Sequence, residues 1–262
     1  MTTQQSKTGT REWSDVSVNC CKGCSNSCTY CYAREMALRF KRIPTGQAWE
    51  TEQINPKALT KKHRKYDGVV MFPTTHDITM GNLSACIDVL YNLLDAGNKV
   101  LIVSKPKSQC IQSLCSVLDI FKDQIEFRFS IGGTSHDLDF WEPNAPSFRE
   151  RLHCLSVVTN FSFKVSISCE PLLSPWGFDV LLASFGELPE TIWIGCANFL
   201  KQRCKWKLPP DHPKIIELLE WQTPEKIMEI HGKLKDNPRI RWKDSYREVI
   251  EKEGGRDETA RN

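Results

Sequence analysis

The stretch NCCKGCSNSCTYCYARE, from Asn19 to Glu35, places five cysteines within twelve residues. So many thiols on so short a segment can form disulfides, a zinc knuckle or the socket of a redox cluster. Cys24, Cys28 and Cys31 stand in the pattern C-x3-C-x2-C, between a predicted strand and a predicted helix. Three thiolates on one tight loop suit a [4Fe–4S] cluster with one iron left open. A structural zinc site needs four ligands, and Cys20 or Cys21 would supply the fourth, with CKGC offering knuckle-like spacing. On the cluster reading Cys20 ends the strand pointing inward, Cys21 is a surface thiol, and neither has a role.

The compartment bears on that choice. The first residues, MTTQQSKTGTREW, lack the apolar core of a signal peptide, and no apolar run approaches the ~20 residues of a membrane span. The expectation is an intracellular, cytoplasmic protein in a reducing environment, where clustered cysteines serve a metal or redox site rather than a disulfide framework. The other seven cysteines, Cys86, Cys110, Cys115, Cys154, Cys169, Cys196 and Cys204, are scattered singly and read mostly as small core residues. With 35 Lys and Arg against 32 Asp and Glu, the net charge of +3 permits nucleic-acid binding without arguing for it.

Short apolar runs alternate with amphipathic stretches and must position these residues. Strands are expected at DVSVNC (15–20), GVVMFP (68–73), KVLIVS (99–104), IEFRFSI (125–131), FKVSIS (163–168) and TIWIGC (191–196). Helices are expected over 32–43, 82–97, 109–122, 147–159 and 178–185. The alternation predicts an α/β fold with a parallel sheet of right-handed units, read as a partial (β/α)6 TIM-like barrel. The strands read as continuous apolar runs, hence covered on both faces. Residues 1–14 are expected as a flexible tail, 15–208 as the barrel, 209–250 as a small C-terminal helical extension and 251–262 as a disordered tail. In parallel α/β folds chemistry gathers at the C-terminal edge of the strands. There lie the cysteine loop, PTTHD, SKPK, SIGG, SCEPLL and GCAN.

C-x3-C-x-aromatic-C after a first strand resembles the signature of the radical S-adenosylmethionine superfamily. The resemblance implies that Cys24, Cys28 and Cys31 hold a [4Fe–4S] cluster, with Tyr30 as the aromatic beside the cofactor. It implies that S-adenosylmethionine binds the fourth iron and is cleaved reductively to a 5′-deoxyadenosyl radical, which takes hydrogen from a substrate. An external one-electron donor of flavodoxin or ferredoxin type follows as a partner. MFPTTHDIT, VLIVSKPK and VSISCEPLL further resemble the branch that contains spore photoproduct lyase and related phage and bacterial proteins; a phage-encoded protein would work in the host cytoplasm. The superfamily's Gly-Gly-Glu stretch after the second strand is replaced here by PTTHD.

Within that reading each strand end acquires an expected role. Thr74 and Thr75 hydrogen-bond the amino group of the cofactor's methionyl part. Asp77 accepts from the same ammonium or caps the next helix. His76 is an acid, base or substrate contact, or a structural loop residue. Lys105 pairs with the methionyl carboxylate or is a solvated rim charge. Ser130 reaches a ribose hydroxyl, Gly132 allows close backbone approach to the cofactor, and Glu170 before Pro171 grips a ribose or the substrate. Cys169 and Cys196 are candidate hydrogen-atom donors to a product radical, or core thiols.

The substrate class stays open at this level. A nucleic-acid base or nucleotide, to be repaired, rearranged or hypermodified, is favoured by the resemblance and by the basic-aromatic segments KQRCKWK and RIRWKDSYR. A small molecule or peptide is the first alternative, and a zinc-bearing nucleic-acid-binding module the second.

Overall fold

Along Ile125–Ser130 the side chains alternate Ile, Glu, Phe, Arg, Phe, Ser, and the two sets point to opposite faces of a sheet. Ile125, Phe127 and Phe129 join the main apolar core, whereas Arg128 reaches Ser166 on the neighbouring strand at 2.9 Å. The computed structural model describes residues 9–259, with side chains to 254. Its strands are β1 (Val16–Ser17), β2 (Cys21–Lys22), β3 (Gln53–Ile54), β4 (Val69–Phe72), β5 (Lys99–Ser104), β6 (Ile125–Ser130), β7 (Lys164–Cys169), β8 (Ile192–Ile194) and β9 (Ile240–Trp242). Seven of them form one parallel sheet in the order β1-β4-β5-β6-β7-β8-β9, and β2 pairs with β3 in a small antiparallel ladder.

All six expected strands are present, in sequence order across the sheet. Two features differ from the expectation. The sheet's faces are unequal: the β6 and β7 residues Glu126, Arg128, Ser130, Ser166 and Ser168 line a polar face, while Phe127, Phe129, Val165, Ile167 and Cys169 enter the core. The segment expected to be purely helical also contributes a seventh strand. β9 pairs Ile240 with Ile192 and Trp242 with Ile194. At three residues it is too short to show a period of its own, and Pro238 just before it reads as a turn.

The helices Leu83–Asp95, Ser108–Leu118, Phe148–Asn160, Phe178–Phe185 and Pro224–Leu234 carry the apolar side chains that meet the core side of the sheet. Ser147 caps the third of these by accepting from the Glu150 amide. Of the expected N-terminal tail, residues 1–8 lie outside the described residues. Gly9–Glu12 is instead a 3-10 turn, tied to residues after β9: Gly9 N donates to Asp244 Oδ2 at 2.9 Å, and Lys243 Nζ donates to Gly9 O at 2.7 Å. Of the expected disordered tail, the described part continues the helix Asp244–Thr259. Among the described residues no helix is long and apolar enough to cross a membrane.

Candidate functional site

Because the strands are parallel, their C-terminal ends fall on one edge, and a cavity of about 350 Å3 opens there. That size lies within the range of small-molecule sites, about 300–1,000 Å3. Cys24, Cys28 and Cys31 line it, with Tyr30, Thr74, Thr75, His76, Asp77, Lys105, Ser130, Glu170 and Cys196. Strand ends separated by up to 172 positions in sequence therefore meet at one volume.

The cysteine loop is pinned through its backbone. Cys24 N donates to Trp49 O and Thr29 N to Trp141 O, both at 2.8 Å. The buried Arg34 guanidinium donates to Cys28 O and Thr29 O, each at 2.9 Å. Gly23 has φ +95°, and a side chain there would collide with the Thr51 and Trp49 carbonyls, so the loop enters its turn only through glycine. Burial raises the Cys24 thiol well above its ordinary value and pushes Cys28 up to about 12; each of the two also senses Cys31 as a neighbouring charge. Lys105 and Arg151 oppose the Cys28 shift, and Arg34 lies within electrostatic reach of Cys28 and Cys31. Three neighbouring thiols, with the buried Arg34 and Arg151 and the half-buried Lys105 nearby, form a donor set that fits a thiolate-held iron–sulfur group. Among the described residues no three His, Cys, Asp or Glu side chains converge tightly enough for a single metal ion. The thiolates of a cluster bind separate irons and stand farther apart than the ligands of one ion.

Beneath the loop lies a buried charge network. Glu142 Oε2 pairs with Arg151 Nη2 at 2.6 Å, Lys105 Nζ stands 3.8 Å from Glu142 Oε1, and the Tyr30 hydroxyl donates to the same oxygen. Burial works against the Glu142 charge, but Arg151, Lys105 and Tyr30 outweigh it and keep the carboxyl below its ordinary range. Burial likewise opposes the Lys105 ammonium, yet Cys28, Glu142 and Tyr30 hold it well above its ordinary value. Lys105, half-buried at the cavity wall, is thus a paired charge rather than a freely solvated one.

The loop after β4 is saturated with hydrogen bonds. Asp77 accepts from Asn26 Nδ2 at 2.8 Å, Ile78 N at 2.8 Å, Ser104 Oγ at 2.5 Å and Lys105 N at 3.0 Å. Its carboxylate ties the cysteine loop to the end of β5, and Asn82, not Asp77, stands at the start of the helix that follows. His76 has both ring nitrogens engaged by main chain: Nε2 accepts from Cys20 N at 3.2 Å, which leaves Nδ1 to donate to Asp77 O at 3.0 Å. It therefore ties the loop after β4 to the backbone at Cys20. Asn19 Oδ1 accepts from the amides of Thr74 and Thr75 at 2.8 and 2.9 Å, and Asn19 Nδ2 donates to Thr74 Oγ1 at 2.8 Å. Cys21, expected at the surface, is buried in β2.

The opposite wall is less saturated. Glu170 faces Lys243 Nζ at 3.5 Å. Burial, only partly offset by Lys243, pushes its carboxyl up to about 7, with Asp244 and Glu12 adding to the rise. Lys243 is fully buried; it is ion-paired to Glu12 and lies 4.2 Å over the Trp13 ring. Trp13 lines the cavity, and its buried Nε1 has no acceptor among the described residues. Cys196 lines the cavity, and burial, only partly offset by Ser245, pushes its thiol up to about 11, so it is a neutral S–H at pH 7. Arg203 lines the cavity between the rings of Tyr32 and Phe199, 5.7 and 5.9 Å from their centroids, within electrostatic reach of Glu170 but with no carboxylate at ion-pair distance among the described residues.

Two expected site residues lie elsewhere. Cys169 is wholly buried in the core, and its thiol donates to Ile131 O at 3.2 Å. Gly132 packs against the turn after β7; a side chain there would strike the Pro171 carbonyl, so the close approach it permits is to that turn. Sequence reasoning missed Glu142, Arg151, Lys243, Arg203, Asn19 and Asn26. Asn19 and Asn26 lie inside the cysteine stretch itself, and Lys243 directly follows β9, which the sequence does not announce. Nothing in the sequence marks Glu142 or Arg151 as partners. No protein-family model and no curated protein matches this chain.

Proposed function

We propose that the chain is a radical S-adenosylmethionine enzyme acting on a nucleic-acid base or nucleotide, with the parallel sheet curved as a partial barrel. One observation carries this reading: the C-x3-C-x2-C thiols line the same cavity as the polar ends of β4 to β8. The curvature is supported by Gly9–Glu12, which precedes β1 yet bonds to Lys243 and Asp244 after β9. Cys24, Cys28 and Cys31 would hold a [4Fe–4S] cluster, and the cavity above them would hold the cofactor. When bound, this pair supplies one electron to a sulfonium and a carbon radical that takes a hydrogen atom from the substrate.

The chain's own residues do the rest. The loop's backbone bonds keep the three thiols in position before any ligand arrives. Lys105 and Arg34 balance the negative charge of thiolates beside them. Ser130 and Ser168, on the polar sheet face, offer hydroxyls to a ribose, and Trp13 Nε1 offers an unused donor. Glu170 holds or releases a proton near neutrality, and Cys196 presents an S–H at the cavity wall.

Anaerobic reconstitution tests the reading. The expected product is a brown protein with about four irons per chain, lost in Cys24→Ala, Cys28→Ala and Cys31→Ala. On reduction with S-adenosylmethionine it releases 5′-deoxyadenosine, and more of it with the right nucleic acid or nucleoside. A colourless protein that takes up zinc and no iron overturns the proposal.

A further inference from the structure

Two segments distant in sequence meet at the rim of the cavity. Residues 32–43 and 199–207 are joined by Gln202 Nε2 donating to Glu35 Oε1 at 2.7 Å, and by the Arg34 guanidinium 3.5 Å over the Trp206 ring. The whole chain is nearly balanced in charge, yet these two segments hold eight Lys and Arg against one carboxylate, Glu35. Six of the cations are exposed: Arg39, Lys41, Arg42, Lys201, Lys205 and Lys207. None of the six is ion-paired among the described residues. An ordinary solvated helix face looks different here: Lys214, Lys226 and Lys233 on the C-terminal helices all pair with glutamates three or four residues away.

Aromatic rings interrupt the basic ridge. Phe40 is 53% exposed and Phe199 74%. Phe199 sits in the left-handed region at φ +55°, a costly conformation for a bulky residue, and one that is informative where it holds a side chain in an unusual direction. Its neighbour Asn198 lines the cavity, and its ring flanks Arg203, the cavity cation without a carboxylate at ion-pair distance among the described residues.

The geometry points to this ridge as a track for single-stranded nucleic acid. The exposed cations follow the sugar–phosphate backbone, Phe199 stacks on a base at the entrance, and Arg203 receives the phosphate of the nucleotide that enters the cavity. Phosphates supply the affinity and exposed rings accept any unstacked base, which a duplex does not offer. The inference rests on the proposed nucleic-acid substrate, but binding is measured without reductant or cofactor, so the two fail separately.

The test is fluorescence anisotropy on the full chain as purified, with a short labelled DNA strand, the same sequence as RNA, its duplex, heparin and an acidic peptide as probes. One or both single strands are expected to bind more tightly than the duplex and the peptide. For about four phosphate contacts, log affinity should fall against log salt with a slope of about −3. Lys201→Glu combined with Lys205→Glu should weaken the single strand at least about tenfold. Phe199→Ala should weaken it about tenfold while leaving heparin unchanged, because heparin has no base to stack. All three side chains are exposed, and circular dichroism checks that the variants fold. Absence of binding, a preference for the duplex or the acidic peptide, or a Phe199→Ala that affects heparin and oligonucleotide alike overturns the inference. Iron content, counted on the same samples, tests the cluster reading by itself.

Discussion

The two walls of the cavity are built on opposite principles. On the cysteine side Asp77, His76, Asn19 and Asn26 have polar atoms matched to neighbours, and the buried Glu142 meets Arg151, Lys105 and Tyr30. On the facing side the Glu170 carboxyl is pushed up to about 7, Cys196 keeps a neutral thiol, and Arg203, within electrostatic reach of Glu170, has no carboxylate at ion-pair distance among the described residues. The saturated residues of the cysteine wall hold its loop in place. The facing wall carries the groups that can change protonation, give up a hydrogen or take a ligand. A rigid socket opposite a responsive wall is the division expected where one group must be positioned and another must react.

The comparison breaks first at Glu142. Glu142→Gln leaves the fully buried Arg151 and the half-buried Lys105 beside a neutral amide, and should cost about 3–5 kcal/mol of stability in urea unfolding. A loss below 1 kcal/mol would show that the cysteine wall is not held by this network. Asp77→Ala comes next: it strips acceptors from Asn26, Ser104 and two backbone amides, for a loss of about 2–3 kcal/mol and weaker retention of iron by the loop.

The responsive wall is probed by pH. The folded Glu170 carboxyl keeps its proton up to about 7, against 4.5 as its ordinary value, in the company of Lys243, Glu12, Asp244 and Arg203. The native state then binds more protons than the unfolded state between those values, so this group makes stability fall as pH rises through that window. The total is about 3 kcal/mol at most. Glu170→Gln should remove that slope in denaturation curves recorded from pH 4.5 to 7.5, and an unchanged slope would take Glu170 out of the responsive wall. The smallest stability effects separate the two thiols. Cys169→Ala should lose about 1 kcal/mol and keep turnover. Cys196→Ala should keep cluster and cofactor cleavage but lose product. Equal product from both variants would take the donor role from Cys196 and favour an internal rearrangement.

Much of the fold was legible because its signals are local. Strands β4, β5, β6 and β7 are β-branched or aromatic runs bounded by turn residues, and each helix that packs on them has its own apolar stripe. β9 was missed because three residues show no period, and the unequal sheet faces were missed although IEFRFS and KVSISCE alternate plainly. Twelve of the fourteen expected site residues line the cavity, since parallel strands deliver their ends to one edge whatever their sequence separation.

By itself, then, the sequence determined the α/β alternation, the cysteine spacing and the list of strand-end residues, all of which depend on neighbours in the chain. Only the tertiary structure decided what each polar group is free to do. It closed His76 and Asp77 inside hydrogen bonds, sent Cys169 to the core and Cys196 to the cavity, and brought Glu12 and Lys243 from the two ends of the chain to Glu170. A side chain's availability depends on partners that arrive through space, and burial sets the strength of each such contact through the local dielectric. Neither quantity is written in residue order.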